Sequence, residues 1–329
     1  MPSFYSLIII FICILTIIII LYLMECEDFL PENKIKKYIT LKKYKKALYL
    51  LDKHRNTLDH LFFYSFKIFA LKEEREFSKA YDLSIEALKN IKNPSYELLR
   101  NIASLYYNLN LYNRAIDFSK RALKINPIDL PSLCNIGYSY LALKDYLKAI
   151  EAFDRVLEFN PSFKEALLGK SYALFYKEDY FLCSKYLEDF ILLEKNNAKA
   201  FKLLGDSYYF LEEYKKSAKN YEKAISLDEN EESYYFQYAK SLIYLEEYDK
   251  ALDNLNKVLS FSPYNFMAFY HKAQVYSLKK DFDNAFYYLE RAFTHCDSLK
   301  DLALKDEKLT NLKFFSRFSY LLYNNTKWN

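Results

Sequence analysis

The chain contains few of the residues that tight turns require. Its 329 residues include three glycines, seven prolines and one tryptophan. So little glycine and proline leaves almost no material for the many turns of β-sandwiches, β-barrels and most nucleotide-binding folds, and we exclude these classes. Aromatic residues, in contrast, make up 19% of the chain, and large rings suit packing between helices.

The motifs of enzymes and metal sites are also missing from the sequence. His54 and His60 are six residues apart and so face different sides of a helix, while His295 and Cys296 are adjacent rather than spaced for a metal ion. The five cysteines show no CxxC spacing, which predicts reduced thiols. Without an HExxH motif or a glycine-rich phosphate loop, we predict that the protein is not an enzyme and has no catalytic residues, cofactor or metal ion.

A repeat of about 34 residues runs through most of the chain. One aromatic residue recurs at steps of 33, 35 and then five times 34 residues, and a small residue follows it three positions later each time. The aromatic positions are Tyr44, Phe77, Tyr112, Tyr146, Tyr180, Tyr214, Tyr248 and Phe282. The small positions are Ala47, Ala80, Ala115, Ala149, Cys183, Ser217, Ala251 and Ala285. This register predicts helix–turn–helix units whose two helices approach closely at the small residue.

The unit between Leu130 and Pro161 has the most complete pattern. Its first helix carries Leu133, Ile136, Gly137 and Tyr140 on one face. Its second helix, predicted over 146–159, ends before Pro161 because proline cannot continue a helix. The unit resembles the tetratricopeptide repeat, W-x2-L-G-x2-Y then A-x3-F then P, with Leu133 at the Trp position. The resemblance implies an all-α, right-handed α-solenoid of about eight repeats that binds another protein.

The repeats also define the predicted domain organisation. Residues 34–94 hold two degenerate repeats, 95–297 hold six regular ones, and 298–329 form capping helices and a tail. The unit between Lys164 and Asn197 departs most from the pattern. Its departures are Lys170 for an apolar residue, Cys183 and Phe190 for alanines, and Lys195 for proline.

An uncharged apolar run, residues 4–24, precedes the repeats. As a helix, its 21 residues would span ~31 Å, which matches a bilayer core of ~30 Å, so we predict one transmembrane helix followed by a linker over 25–33. A cleaved signal peptide is the alternative interpretation. It fits less well because no basic residue precedes Lys34 and the apolar core is too long.

Lysines follow this run and set its predicted orientation. Lys34, Lys36, Lys37, Lys42 and Lys43 lie within ~20 residues of it, and basic flanks stay in the cytoplasm. We therefore expect a single-pass membrane protein with a cytoplasmic array. The same lysines either lie against anionic lipid headgroups or form an ordinary solvated face, and the sequence leaves both interpretations open.

In the tetratricopeptide family, the first helices of the repeats line a concave groove for partner segments, and the resemblance places particular residues there. The predicted partner-binding residues are Arg100, Tyr107, Asn135, Tyr138, Tyr172, Tyr176, Lys202, Asp206, Tyr209, Phe236, Lys240, Tyr270 and Gln274. A chaperone-type carboxylate clamp is absent as a set, because Ser104, Glu165 and Gly169 interrupt it. Many of the tyrosines could instead pack between helices.

These observations predict a membrane-anchored adaptor or scaffold that captures protein segments in its groove. The alternative is an outward-facing array that serves envelope assembly or secretion. Nucleic acid is not expected as a partner, because the basic excess is mild and the repeats carry no base-reading code.

Overall fold

The computed structural model describes residues 30–323, and these residues form helices and no strand. They divide into two compact units, with the boundary between Phe159 and Asn160. The predicted transmembrane helix, residues 4–24, lies outside the described residues. Among the helices of residues 30–323, none is long and apolar enough to cross a membrane.

Each unit contains four consecutive helix pairs. Those of the first unit are α1 (Pro31–Thr40) with α2 (Tyr44–Lys53), α3 (His60–Glu73) with α4 (Phe77–Asn90), α5 (Tyr96–Asn108) with α6 (Tyr112–Ile125), and α7 (Leu130–Ala142) with α8 (Tyr146–Phe159). Those of the second unit are α9 (Lys164–Tyr176) with α10 (Tyr180–Leu193), α11 (Ala198–Phe210) with α12 (Tyr214–Leu227), α13 (Glu232–Tyr244) with α14 (Tyr248–Phe261), and α15 (Phe266–Leu278) with α16 (Phe282–His295). Each unit is therefore an all-α solenoid of helix pairs.

The repeat arithmetic located the second helices correctly. All eight recurring aromatic residues are the first residues of α2, α4, α6, α8, α10, α12, α14 and α16. The helices that precede Pro127, Pro161 and Pro263 end at Ile125, Phe159 and Phe261. Both predictions are confirmed.

The close approach of the paired helices depends on matched side-chain volumes. Gly137 lies against the ring of Phe153, sixteen residues later, and Gly205 lies in the same way against Tyr221. In other repeats, the residue that corresponds to Gly137 is larger than glycine. The residue sixteen positions later is then smaller than an aromatic residue. These pairs are Ala103 with Ser119, Ser171 with Leu187, Ala239 with Leu255 and Ala273 with Leu289, all fully buried. Two of the three glycines in the chain thus lie where an aromatic ring of the second helix occupies the space that a side chain would need.

The turn inside every helix pair contains a residue in the left-handed region. Its φ lies between 55° and 66° in all eight turns, a conformation that glycine adopts most easily, yet none of these residues is glycine. They are Lys42, Arg75, Asn110, Lys144, Glu178, Glu212, Glu246 and Lys280. The scarcity of glycine therefore does not prevent tight turns here, because other residues adopt the required conformation.

In the irregular unit after Lys164, the lysine at the apolar position packs against a tyrosine. Lys170 is buried, and its ammonium lies 2.5 Å from the hydroxyl of Tyr186 and 3.8 Å from the centre of that ring. Lys272 repeats the arrangement at the same spacing, with its Nζ 2.9 Å from the hydroxyl of Tyr288 and 4.0 Å from the ring centre. Cation–π attraction and a phenol oxygen thus take the place of apolar contact.

The C-terminal segment covers the last helix pair. It contains α17 (Leu299–Lys305), a 3₁₀ helix (Glu307–Leu312) and α18 (Ser316–Tyr323). Leu299, Ala303, Leu309, Leu312 and Leu322 are buried as a capping role requires, while Leu302 and Phe315 remain exposed.

Replacing Gly137 with alanine tests the volume rule. A Cβ at this position would lie 2.7 Å from Cε1 and Cζ of Phe153, so we expect the overpacking strain to exceed the helix-propensity gain and to lower the free energy of unfolding by about 1–2 kcal/mol. Urea denaturation of Gly137→Ala measures this loss. In a Phe153→Leu background the ring is gone, and the same glycine-to-alanine change should become stabilising. An equal loss in both backgrounds would contradict the rule.

The left-handed turn residues give a second stability prediction. Lys144, with φ of 61°, is exposed, so Lys144→Gly should raise the free energy of unfolding by about 1 kcal/mol by relieving the left-handed strain. Lys144→Ala removes the same charge and keeps the strain, which makes it the matched control. Denaturation midpoints that are alike for the two variants would contradict this account.

Candidate functional site

The predicted groove residues of the first unit lie on α5 and α7 and make contacts within the unit. The rings of Tyr107 and Tyr138 are 6.3 Å apart, and Tyr138 meets Phe153 edge-on at 5.1 Å. Nη1 of Arg100 donates to Oδ1 of buried Asp129 at 2.8 Å. Asn135 is half-buried. Arg100, Tyr107 and Tyr138 therefore make contacts inside the unit, and the two tyrosines are half-buried.

In the second unit, one cavity of about 400 Å³ brings five of the predicted residues together. Its predicted members are Tyr176, Lys202, Asp206, Tyr209 and Lys240, and the residues that the sequence did not single out are Phe175, Glu178, Tyr180, Phe210 and Gln237. They come from helices α9, α11 and α13, from the turn after α9, which contains Glu178, and from the start of α10. We refer to this space as the α9–α13 cavity.

The charged groups of the α9–α13 cavity form a short network. Asp206 is buried, accepts a hydrogen bond of 2.6 Å from the Tyr221 hydroxyl, and pairs with the ammonium of Lys202 at 2.6 Å. Nζ of Lys240 donates to Oε1 of Gln237 at 3.1 Å and lies 4.4 Å from the centre of the Tyr209 ring. Burial lowers the pKa of Lys240, so this ammonium lies where water solvates it poorly.

Aromatic rings line the cavity, and a second stack of rings lies in the next repeat. Tyr180 stacks on Phe210 at 4.6 Å, and the next repeat has the same arrangement with Tyr214 on Tyr244 at 4.2 Å. Tyr209 is half-buried beside the second stack, and burial raises its pKa. Tyr176 and Phe210, however, are 55% and 53% exposed. The cavity therefore presents both half-buried and largely exposed rings.

Tyr172 and Phe236, two more predicted groove residues, are half-buried on α9 and α13. Burial raises the pKa of the Tyr172 hydroxyl. Phe236 lies 5.3 Å from the ring of His271 on α15. Neither residue lines the α9–α13 cavity, so the structure distributes the predicted set over several places.

The last helix pair has its inner side covered by the chain itself. The Tyr270 hydroxyl donates to Oδ2 of Asp306 at 2.7 Å, and Nε2 of Gln274 donates to the same oxygen at 2.5 Å. Lys308 adds a cation–π contact 4.2 Å from the Tyr244 ring centre. Tyr270 and Gln274 are buried, so we leave them out of the binding surface proposed below. Sequence periodicity did not identify this contact, because the 3₁₀ helix lies beyond the repeats.

Across residues 30–323, no cluster of three or more His, Cys, Asp or Glu side chains is arranged to hold a metal ion. Cys134 and Cys183 are buried, and burial raises the pKa of the Cys183 thiol to about 12. That thiol therefore stays protonated and unreactive at neutral pH.

Comparison with known proteins supports the repeat assignment. One model of the tetratricopeptide repeat matches residues 131–163, and a second model of the same repeat matches residues 96–129, 198–231 and 232–265. The resemblance read from the sequence is thus confirmed, since these four segments are tetratricopeptide repeats. No curated protein matches the chain.

Solved structures share the fold. The chain is similar to YrrB, described as a TPR protein with an unusual peptide-binding site, at 24% identity and a TM-score of 0.53, over 57% of this chain and 98% of that one. It is also similar to a tetratricopeptide repeat protein from Parabacteroides merdae at 19% identity and a TM-score of 0.51, over 78% and 97% of the two chains. A third match, to the APC/C hetero-tetramer Cut9–Hcn1, has 16% identity and a TM-score of 0.54, over 85% and 52%.

His271 makes the stability of the second unit pH-dependent. Burial lowers its pKa to about 4, while Gln274, Lys240, Asp306 and Lys308 also act on it. The unfolded chain, with an ordinary histidine pKa of ~6.5, then binds the proton more tightly than the folded chain. Stability is therefore full above pH ~6.5 and is lost as the pH falls towards 4, by roughly 1–3 kcal/mol.

Urea denaturation at pH 7 and pH 4.5 measures this loss, and His271→Gln provides the comparison. The variant should lose less stability over this interval than the native chain, because glutamine does not titrate. Carboxylates that titrate at low pH affect both chains alike and cancel in the difference. Parallel losses in the two chains would show that His271 is not the group responsible.

Proposed function

We propose that this chain is a protein-binding scaffold and that the α9–α13 cavity receives a segment of a partner protein. The single observation that carries the proposal is the cavity itself, which combines exposed rings, a half-buried ammonium and an ion pair on three successive repeats. Aromatic side chains provide large contact areas, and a small number of polar groups fix a ligand's orientation. Grooves of this kind bind amphipathic segments.

The membrane location is a second part of the proposal. The uncharged run of residues 4–24 and the lysines that follow it support one membrane-spanning helix with the repeats in the cytoplasm. An adaptor tethered in this way would gather its partners at the bilayer. An outward-facing array remains the second candidate, and it makes the opposite prediction for topology.

Tyr176→Ala tests the binding surface. The partner segment is first identified by capture on the chain lacking residues 1–24, and its affinity is then measured by calorimetry. Because Tyr176 is 55% exposed, the variant should fold normally and lose about 30-fold in affinity, the value typical of an interface tyrosine.

Tyr287→Ala is the matched control for this experiment. Tyr287 is 47% exposed on α16, a second helix, and does not line the cavity. Its substitution should leave the affinity unchanged. If the two variants bind alike, the partner docks outside the α9–α13 cavity and the proposal fails.

Thiol labelling tests on which side of the membrane the repeats lie. Lys215 is exposed on α12, so Lys215→Cys gives an accessible thiol for an impermeant reagent in intact vesicles of known sidedness. We expect labelling from the cytoplasmic face alone. Labelling restricted to the opposite face would favour the outward-facing alternative.

A further inference from the structure

The positive charge of the chain is concentrated at the start of the repeats. The first 33 residues carry four acidic and no basic side chains, and residues 34–53 carry eight lysines and one aspartate. The remaining 276 residues are nearly balanced, with 39 basic and 38 acidic side chains. Within residues 34–51, seven lysines occur without one acid. The basic excess of the protein thus belongs to its first helix pair.

The structure presents this charge to solvent. Six of the lysines form what we term the basic cluster: Lys36 and Lys37 on α1, Lys42 and Lys43 in the turn, and Lys45 and Lys46 on α2, all exposed. The ion pairs described for the first unit involve other bases, such as Arg55, Lys67 and Lys72, and none involves the basic cluster. Within residues 30–323, the cluster therefore has no carboxylate that neutralises it.

Apolar side chains lie beside these lysines. Leu30, Leu41 and Tyr49 are each more than half exposed, although their neighbours Ile35, Ala47 and Leu51 are fully buried in the core of the unit. Exposed lysines that alternate with exposed leucine and tyrosine are typical of a surface that contacts the interface of a lipid bilayer.

The chain preceding this surface points to the same ligand. The 29 residues that precede Leu30 contain the apolar run 4–24, and α1 begins directly after Leu30. The predicted linker, residues 25–33, is shorter than expected because α1 already begins at Pro31, and residues 25–30 can span at most about 20 Å. If the run enters a bilayer, the first helix pair is held close to the headgroups, where attraction to anionic lipids is strongest.

We propose that the basic cluster of α1 and α2 rests on an anionic lipid surface. Each lysine near such a surface favours contact by about fivefold, so the six together can hold the first helix pair against the headgroups despite the acids of the linker. This contact goes beyond the proposed capture of a partner, since it uses different residues in a different unit. This contact would hold the first helix pair of the repeats at the membrane surface.

Lysine labelling of the full chain in lipid nanodiscs tests the proposal. Reductive methylation rates of individual lysines are read by mass spectrometry in nanodiscs of phosphatidylcholine alone and with about one third phosphatidylglycerol. We expect Lys42, Lys43, Lys45 and Lys46 to react at least threefold more slowly in the anionic discs at 50 mM salt, and equally in both at 500 mM, where screening is strong. Lys215, Lys219 and Lys223, exposed on α12, should react alike in both discs.

Two triple variants then distinguish an effect of the basic cluster from an effect of the total charge of the chain. Lys42→Gln/Lys43→Gln/Lys45→Gln should abolish the protection of Lys46, while Lys215→Gln/Lys219→Gln/Lys223→Gln, with the same loss of charge, should preserve it. Equal labelling of the cluster in neutral and anionic discs would overturn the proposal. Protection in both kinds of disc would also overturn it, because the cluster would then contact protein rather than anionic lipid.

The nanodisc experiment also tests the lipid contact of the basic cluster separately from the predicted transmembrane helix. Co-elution of the chain with nanodiscs reports on the anchor, and the lipid dependence of labelling reports on the cluster. If the chain does not co-elute, the same labelling with free anionic vesicles decides the lipid contact alone. Protection that depends on anionic vesicles would support the proposal, and its absence would refute it.

Discussion

The structure depends on the close contact between the two helices of each repeat. Where the first helix has glycine, as at Gly137 and Gly205, the second helix fills the space with Phe153 or Tyr221, and elsewhere alanine or serine faces leucine or serine. Protein interiors are packed too densely to tolerate an unmatched pair of volumes. Glycine opposite a ring, and larger residues opposite smaller side chains, keep the two helices of each repeat close. The repeat register then places the first helices of successive repeats within a unit side by side.

The candidate site follows from that register. Since the first helices of successive repeats recur at one spacing, Tyr176, Lys202 and Lys240 from three of them line one cavity. The aromatic residues that begin the second helices support this wall by stacking, as Tyr180 does on Phe210. The C-terminal segment then covers α15 through Asp306, which accepts hydrogen bonds from Tyr270 and Gln274, and it contacts α13 through Lys308 over the Tyr244 ring.

The sequence was sufficient for the repeats because aromatic and small residues recur at fixed spacing, and every second helix begins where this spacing predicts. The sequence did not reveal which partners the individual side chains contact. Arg100 belongs to the groove positions, but it bonds to buried Asp129, and Asp206 is held by Tyr221. Such pairings depend on residues 29 or 15 positions away in the chain, so local periodicity does not reveal them.

The left-handed turns likewise could not be predicted from the sequence. Few glycines suggested few tight turns, yet Lys144 and Glu178 adopt positive φ because the packed helices on both sides determine the path of the backbone. Lys170 likewise departs from the repeat pattern without disturbing it, since Tyr186 provides both a ring and an oxygen.

The central claim is that the α9–α13 cavity holds a partner segment, and photo-crosslinking tests it most directly. A benzophenone amino acid is incorporated at position 176, in the cavity, or at position 287, outside it, and crosslinked peptides are sequenced by mass spectrometry after irradiation in cells. The account predicts that position 176 crosslinks one recurring segment of a partner protein and that position 287 does not. Recovery of the same segment from position 287 alone, or from both positions equally, would contradict it.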